Sequence, residues 1–424
     1  MDELSYPVAQ FEWFPPDQID RSWANYSDEA SPLTDTRVVD FALTALANET
    51  SKVVAEPWFL AVGLYKPHLP WVFPTRLLQH YPEEEYIIPA EGGSAEAPVG
   101  LPDGRDYPVG VHHLALGKNG ELAKYGDLQA INFQPVDDIL WANKTAELRR
   151  AYFAAVSHID EEVGRLLHGL EQLDVENDTI IILFSDHGFE LGEHGMWCKH
   201  SCFDRATKVP FIIRDPKIEV EGAHVDSLVE LVDVMPTVSE LAGVSIPPLC
   251  PSNYSMDGLC TEGVSLIPLL GGVAEPRGWK NYSFSQYLRN PATTNTMIYS
   301  VTSKLFHYVE FADFNETDGT YTRNLAEGVE LYDLVHDPGE SVNQASNASL
   351  ASVVAEMAAV LHAGWRAALP KVQSTSTSTS TSTSTSTSTS TSTSTSTSTS
   401  TSTSTSTSTS TSTSTSTSTS TSTS

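Results

Sequence analysis

The sequence predicts an α/β/α layered domain followed by a small α+β subdomain, and three observations carry that reading. Apolar, β-branched runs at Pro57–Leu64, Thr179–Phe184 and Val209–Ile213 have the composition of core strands covered on both faces. A long amphipathic pattern over Ala146–Leu173 leads directly into the second of these runs, an α-then-β unit. Beyond Trp279 the pattern changes to short strands at Tyr282–Tyr287, Met297–Thr302, Leu305–Phe311 and Val329–Leu334, expected to form an antiparallel sheet. Ser349–Leu369, rich in Ala, Val and Leu, closes the subdomain as a helix. The expected division is 1–275 for the α/β part, 276–370 for the subdomain and 371–424 for a tail.

In chain order, Met1–Ala30 is aromatic, Pro-containing and aperiodic, and reads as loop. Thr34-Asp35-Thr36 stands as an N-cap signal before Val38, Val39, Phe41, Ala42 and Leu46, a surface helix. The Pro57–Leu64 run ends at Tyr65-Lys66-Pro67-His68-Leu69-Pro70, which places His68 between two prolines past a strand end. Gly92–Asp137 is Gly/Pro-rich and weakly patterned, an excursion at the rim of a site. In Ala146–Leu173, Tyr152, Val156, Ile159, Val163, Leu166, Leu170 and Leu173 recur at three- and four-residue spacing. Val232–Gly243 is a short helix that tolerates Pro236 in its first turn and ends on Gly243. From Ser374 to Ser424 the chain alternates Ser and Thr without one apolar residue, so it has nothing to bury and is expected to be disordered. An O-glycosylated stalk and a repeat read-through both fit that tail.

The chain is organised around Asp178–Pro216. After its strand comes Ser185-Asp186-His187-Gly188, a carboxylate and an imidazole at the carboxyl end of a core strand, where open α/β sheets bind ligands. A polar loop punctuated by Gly188, Gly192 and Gly195 then carries Glu190, Glu193, His194, Lys199 and His200. SDHG-x(3)-GEHG-x-W-x-K followed by FD-x-AT-x-VP resembles the sulfatase family of the alkaline-phosphatase superfamily, and within it the iduronate-2-sulfatase branch. The similarity runs from about Ser31 to Leu334, and KPH-x-P around His68 matches the same pattern.

The resemblance implies an alkaline-phosphatase-like fold and hydrolysis of sulfate esters of sugars. That chemistry needs a cation or its equivalent at the non-bridging oxygens, a nucleophile, and a proton source for the leaving oxygen. Asp186 and His187 would be metal residues for Ca2+, with Asp186 the better ligand because calcium prefers oxygen. Lys199 would place a point charge on a sulfate oxygen. His68 would hydrogen-bond the sulfate or protonate the leaving alcohol, and Lys66 is grouped with both as substrate-binding. Glu193, His194 and Trp197 shape the loop. Two family parts are not found: no Cys or Ser stands in a [CS]-x-P-x-R formylglycine motif, and the paired aspartates of the family's first strand are absent, Asp137-Asp138 following no core strand. Both are expected upstream of Met1, so the chain reads as truncated at its N-terminus and inactive on its own. Phe189 stands where the iduronate branch carries Trp, and Asn295-Thr296-Met297 lacks a Lys to pair a uronate, which separates sulfate chemistry from iduronate specificity. A phosphoesterase of the same superfamily and a non-catalytic secreted glycoprotein are the competing readings.

Charge and compartment bound the partners. With 24 basic and 54 acidic residues the net charge is −30, which excludes nucleic acid and anionic membrane surfaces as main partners. No stretch is long and apolar enough to span a bilayer. Asn25, Asn48, Asn143, Asn177, Asn253, Asn281, Asn315 and Asn347 each begin Asn-x-Ser/Thr, 8 of the 14 asparagines, which points to the secretory route and a lysosomal or extracellular site. The opening MDELSYPVAQFEWF has neither a basic nor an apolar signal region, so the true N-terminus is expected to lie upstream. Cys250 and Cys260 bracket nine loop residues, and a disulfide between them suits an oxidising compartment and a similarly spaced pair in the related family. Cys198 and Cys202 flank Lys199 and read as semi-buried thiols, since no second Cys/His pair has zinc spacing.

Overall fold

Helix α2, Ala142–Gln172, is the spine of the larger part. In this computed structural model residues 21–370 are described, apart from 28–31, 53–55, 83–106, 118–119, 134–139, 141, 219–221, 252–257, 272–274, 290–295, 316–319 and 324–327. The Ser-Thr tail, the Asn253 sequon, Asn295 and much of the 92–137 excursion lie outside the described residues. Two units are distinguished, Met1–Gln373 and Ser374–Ser424, and everything below belongs to the first.

α2 forms where the amphipathic pattern predicts a helix, but it buries a different face: of Tyr152, Val156, Ile159, Val163, Leu166, Leu170 and Leu173 only Leu170 is buried, and Val156 is 40% exposed. It presents Leu148, Ala151, Ala154 and Ala155 to a core that holds Trp71, Phe73, Leu77, Leu122 and Leu128. Three alanines on one face let the helix approach the strand beneath it, and large aromatic side chains fill the remaining space. That strand is β2, Trp71–Pro74, buried at all four positions and paired in parallel with β1, Trp23–Tyr26. The sequence placed a strand before the His68 loop, at Pro57–Leu64. Here the ladder forms after the loop instead, and 57–64 is extended without a hydrogen-bonded partner among the described residues, with Phe59 80% exposed. The reason is coverage: Trp71, Val72 and Phe73 have cores to enter, whereas 57–64 has no neighbouring strand to pair with among the described residues.

Helix α1, Thr34–Thr50, buries Val39, Ala42 and Leu46 at helical spacing. Its N-cap position is Leu33, with no side-chain cap bond. The Asp35 carboxylate, expected to support that cap, accepts from backbone of the His68 loop instead.

β3, Ile181–Phe184, lies inside the predicted Thr179–Phe184 run and pairs antiparallel with β6, Phe211–Arg214. The expectation of cover on both faces is not met. Phe184 is 47% and Ile212 60% exposed, because this ladder has two strands among the described residues and no third to lie beside it. Between them the short pair β4, Glu190–Leu191, and β5, Trp197–Cys198, closes the charged loop. Helix α3, Val234–Leu241, ends near Gly243 at φ +68°, as its sequence predicts.

The C-terminal sheet is antiparallel as expected and one strand larger. β7 (Ser283–Arg289), β8 (Thr296–Thr302) and β9 (Phe306–Asn315) form a meander. β10 (Thr320–Arg323) and β11 (Val329–Asp333) pair with successive halves of β9. Helix α4, Ala351–Ala363, packs Met357 onto Val301, Tyr308 and Leu331 and stops at Gly364, φ +74°. The functionally important packing joins Met196, Cys202 and Phe203 of the charged loop to Ile298, Val309, Phe311 and Tyr332 of this sheet, with Leu114 and Ala115 between them. No helix among the described residues is long and apolar enough to cross a membrane.

Candidate active site

Residues 65–70 form a tight loop held from below. Asp35, buried in α1, accepts from the amides of Tyr65 at 2.6 Å and Lys66 at 3.2 Å. Trp71 Nε1 donates to the Pro67 carbonyl at 2.8 Å. His68 Nδ1 is bonded to the Leu69 carbonyl at 2.5 Å, which requires the proton on Nδ1 and turns Nε2 outward. Lys66 points elsewhere: its ammonium donates to the His68 carbonyl at 3.2 Å and lies 4.3 Å from the Tyr65 ring centroid. Burial lowers its pKa to about 8, partly offset by Asp35.

The charged loop is held by its own turns and by the sheet. Gly188 donates to the Ala206 carbonyl at 2.8 Å, and a Cβ built there would stand 2.0 Å from the Arg205 carbonyl oxygen, so only glycine fits. Glu193 accepts from the Leu191 amide at 2.6 Å and stands 3.5 Å from Arg149. Trp197 is buried beside Trp71. His194 is buried against Phe203 and bonds the Gly339 carbonyl at 2.7 Å. Arg289 of β7 donates to the carbonyls of Leu114, Ala115 and His200 at 2.7, 2.9 and 2.9 Å. The Tyr287 hydroxyl meets His200 Nδ1 at 2.7 Å. The C-terminal sheet thereby sets the end of the loop that carries Lys199.

These supports bring Lys199 to His68. The ammonium stands 2.9 Å from His68 Nε2 across 131 residues of sequence. A third group joins them that the sequence did not single out. Glu121, at the start of a helical turn in the rim excursion, lies 3.1 Å from His68 Nε2, 3.2 Å from Lys199 Nζ and 3.6 Å from His200 Nε2. The imidazoles of His200 and His68 and the ammonium of Lys199 hold its carboxyl well below the usual carboxylate range, against the opposing effect of burial. Nothing local in GKNGELAKYG marks Glu121; it becomes visible only when the excursion folds back. Asp35 and Arg289 were missed for the same reason.

Asp186 and His187 are placed at the end of β3 as predicted, but apart from that cluster's contacts. The Asp186 side chain is 83% exposed, accepts from the His187 amide at 3.0 Å and lies 3.6 Å from His187 Nε2. His187 Nδ1 is bonded to the Gly188 carbonyl at 2.8 Å. Among the described residues no three His, Cys, Asp or Glu side chains are grouped to hold a metal ion. One carboxylate and one imidazole fall short of the six to eight oxygens calcium takes, so the described residues do not by themselves build that site.

The remaining predicted positions separate by chemistry. Cys250 and Cys260 are disulfide-bonded, with Cα atoms 4.9 Å apart. Cys198 and Cys202 are free and buried, and burial pushes both thiols up to about 12, which leaves them inert. Of the sequon asparagines, Asn48, Asn143, Asn177, Asn281, Asn315 and Asn347 are exposed and Asn25 is half-buried.

Beneath the loop lies a buried ionisable network. Burial raises Glu190 to about 7 and Glu330 to about 7. Burial alone would lower His194, but the Glu190 carboxylate 3.5 Å away outweighs it and raises His194 to about 9. His307 and Glu340 form a second buried pair. A cavity of about 420 Å³ opens separately between the C-terminal sheet and α4, bordered by Tyr282, Glu310 and Trp365. It shares no residue with the His68–Lys199–Glu121 group and is not part of the site.

The family model described as Sulfatase matches residues 5–244, and one described as N-sulphoglucosamine sulphohydrolase, C-terminal, matches 192–366. Human iduronate 2-sulfatase is 32% identical over 342 residues, covering 70% of this chain and 59% of that protein. The chain therefore spans about three fifths of the length of such relatives. Phosphonate monoester hydrolase from Silicibacter pomeroyi superposes with a TM-score of 0.59 at 22% identity, covering 82% of this chain and 62% of that one. The structure of BT4656 in complex with its substrate D-glucosamine-2-N,6-O-disulfate gives a TM-score of 0.55 at 23% identity, covering 80% and 70%. Those two likenesses establish the alkaline-phosphatase-like fold, and the family match across more than half of its residues makes this chain a member of the sulfatase family.

Proposed function

We propose that this chain binds the sulfate ester of a sulfated sugar at His68 and Lys199. The observation that carries the reading is the 2.9 Å approach of Lys199 Nζ to His68 Nε2 from segments 131 residues apart. Lys199 brings a fixed positive charge, and His68, with its Nδ1 proton committed to Leu69, becomes a second donor through Nε2 when the ring is protonated; at the surface of a strongly acidic protein the two form a local anion site. Lys199 supplies charge to a non-bridging oxygen. His68, with Nδ1 committed to the Leu69 carbonyl, offers Nε2 to the ester oxygen, where a protonated imidazole can hand a proton to the leaving alcohol.

The substrate class rests on the names of those relatives that are sulfatases of sulfated sugars, such as iduronate 2-sulfatase. Iduronate itself is not assigned. Phe189 stacks on Tyr152 at 5.5 Å and near Trp71, an apolar brace that lends no polar group to a uronate carboxylate. The 424 residues hold no [CS]-x-P-x-R sequence, so this polypeptide binds the ester without supplying the formylglycine nucleophile. Any Ca2+ held at Asp186 and His187 draws its other ligands from beyond the described residues. Six exposed sequon asparagines and the Cys250–Cys260 bridge support a secreted or lysosomal glycoprotein.

The test is binding and turnover with the 424-residue chain and Lys199→Ala. Calorimetry with a sulfated disaccharide is expected to show binding that the variant loses, with no hydrolysis of an aryl sulfate by either. Binding unaffected by Lys199→Ala would remove the assignment, and hydrolysis above the variant's rate would overturn the inactivity.

A further inference from the structure

We propose that Glu121 is an internal stand-in for the substrate anion: its carboxylate occupies the sulfate position among His68, Lys199 and His200 and must swing away for a sulfate ester to bind. The proposal rests on the sulfate-binding reading of His68 and Lys199.

Both carboxylate oxygens are engaged. Oε1 lies 3.1 Å from His68 Nε2 and 3.4 Å from Lys199 Nζ; Oε2 lies 3.2 Å from Lys199 Nζ and 3.6 Å from His200 Nε2. A carboxylate presents two terminal oxygens and a negative charge, the same pattern that two non-bridging oxygens of a sulfate ester present. The donors are held from behind. His68 is fixed by the Leu69 carbonyl, His200 by the Tyr287 hydroxyl, and the His200 carbonyl by Arg289. Such a cradle keeps its shape when the anion changes.

Glu121 is built to let go. Its neighbour Leu122 is fully buried in the main core, so the backbone is anchored while the carboxylate hangs from two methylenes. The side chain is 21% exposed, which leaves solvent for it to rotate into. Release is a rotamer change, with no main-chain movement required. Until it happens, a sulfate faces a like charge and an occupied set of donors. The carboxylate therefore lowers affinity for weak anions and selects substrates whose sugar contacts add enough binding energy to displace it.

The experiment measures inorganic sulfate binding to the full chain by calorimetry, with near-ultraviolet dichroism to confirm folding. Glu121→Gln is expected to bind sulfate at least tenfold more tightly than the unmodified chain, and Glu121→Ala to do the same should the glutamine variant misfold. Glu171→Gln, which removes an equal charge on the exposed face of α2, is expected to change little. Adding Lys199→Ala to Glu121→Gln is expected to erase the gain. Equal affinity in the unmodified chain and Glu121→Gln, both falling on Lys199→Ala, overturns the stand-in role and leaves the sulfate site standing. A gain that survives Lys199→Ala, or one matched by Glu171→Gln, puts the anion elsewhere and overturns both.

Discussion

Asp35 and His68 are coupled through backbone: the Asp35 carboxylate in α1 receives the amides of Tyr65 and Lys66, three and two residues ahead of the imidazole. The position of His68 thus depends on a buried acid that touches neither substrate nor Lys199. Asp35→Ala leaves two amide donors without their acceptor in a partly buried loop. We expect a loss of about 1–3 kcal/mol in urea denaturation and weakened sulfated-sugar binding. Asp35→Asn keeps one acceptor oxygen and should recover part of both. Unchanged binding with lowered stability would mean that the loop holds His68 without this anchor.

Lys199 is the fixed charge of the proposed sulfate site. In a catalytically active form of the protein, Lys199→Ala should lower kcat/KM by roughly a hundred- to a thousandfold, the usual cost of one preorganised charge contact to a developing anion. Lys199→Arg keeps the charge but alters reach and geometry, so it should restore binding more than turnover. Steady-state kinetics on a sulfated sugar separates the two.

Gly188, next to the Asp186–His187 turn, packs directly against the 204–207 turn. Gly188→Ala drives a methyl group against backbone oxygen at 2.0 Å, which the neighbouring main chain can relieve only by shifting. Overpacking of this kind costs about 1–3 kcal/mol. The expected readout is a lower melting temperature together with exchange broadening of the His187 ring signals in nuclear magnetic resonance. A variant as stable as the parent would show that the two turns separate easily.

Acidification should stabilise this protein. Glu190 and Glu330 have folded pKa values near 7, above the ordinary carboxylate value, so their contributions are complete below about pH 4.5 and fade as pH rises through 7. His194, raised to about 9, contributes fully below about pH 6.5 and loses that contribution as pH rises through 9. The two carboxyls bind more protons folded than unfolded between about 4.5 and 7, and His194 between about 6.5 and 9, so stability falls through both ranges. Glu340 and Glu121 have the opposite sign, and their stabilisation disappears only in stronger acid. Partial neutralisation of the −30 net charge adds to the same trend. Differential scanning calorimetry should give a higher melting temperature at pH 5 than at pH 8. A flat profile in Glu190→Gln/His194→Gln would assign the effect to this pair.

The Cys250–Cys260 bridge closes a separation of ten residues. Chain-entropy arguments give about 3 kcal/mol for a loop of that order. Non-reducing peptide mapping should recover the two cysteines in one linked pair, while Cys198 and Cys202 alkylate only after unfolding. Two free thiols at 250 and 260 in folded secreted protein would count against both the bridge and the secretory assignment.

Periodicity alone was enough to place α2, α1 and the C-terminal strands along the chain, but not to name the face that α2 buries, where Ala151, Ala154 and Ala155 enter the core in place of Val156, Ile159 and Val163. The position of the DHG turn at the end of β3 and the pairing of Cys250 with Cys260 were likewise legible, since each lies within one short stretch of chain. What the sequence could not carry was which apolar run finds a partner. Pro57–Leu64 reads as a core strand and Trp71–Pro74 does not stand out, yet it is Trp71–Pro74 that has the alanine face of α2 to enter. Nor could it reveal Glu121, Asp35 or Arg289, whose partners lie 78, 30 and 175 residues away. A polar side chain buried by a distant segment leaves no local period, and its role exists only once tertiary packing removes water and brings its partner within 3 Å or so.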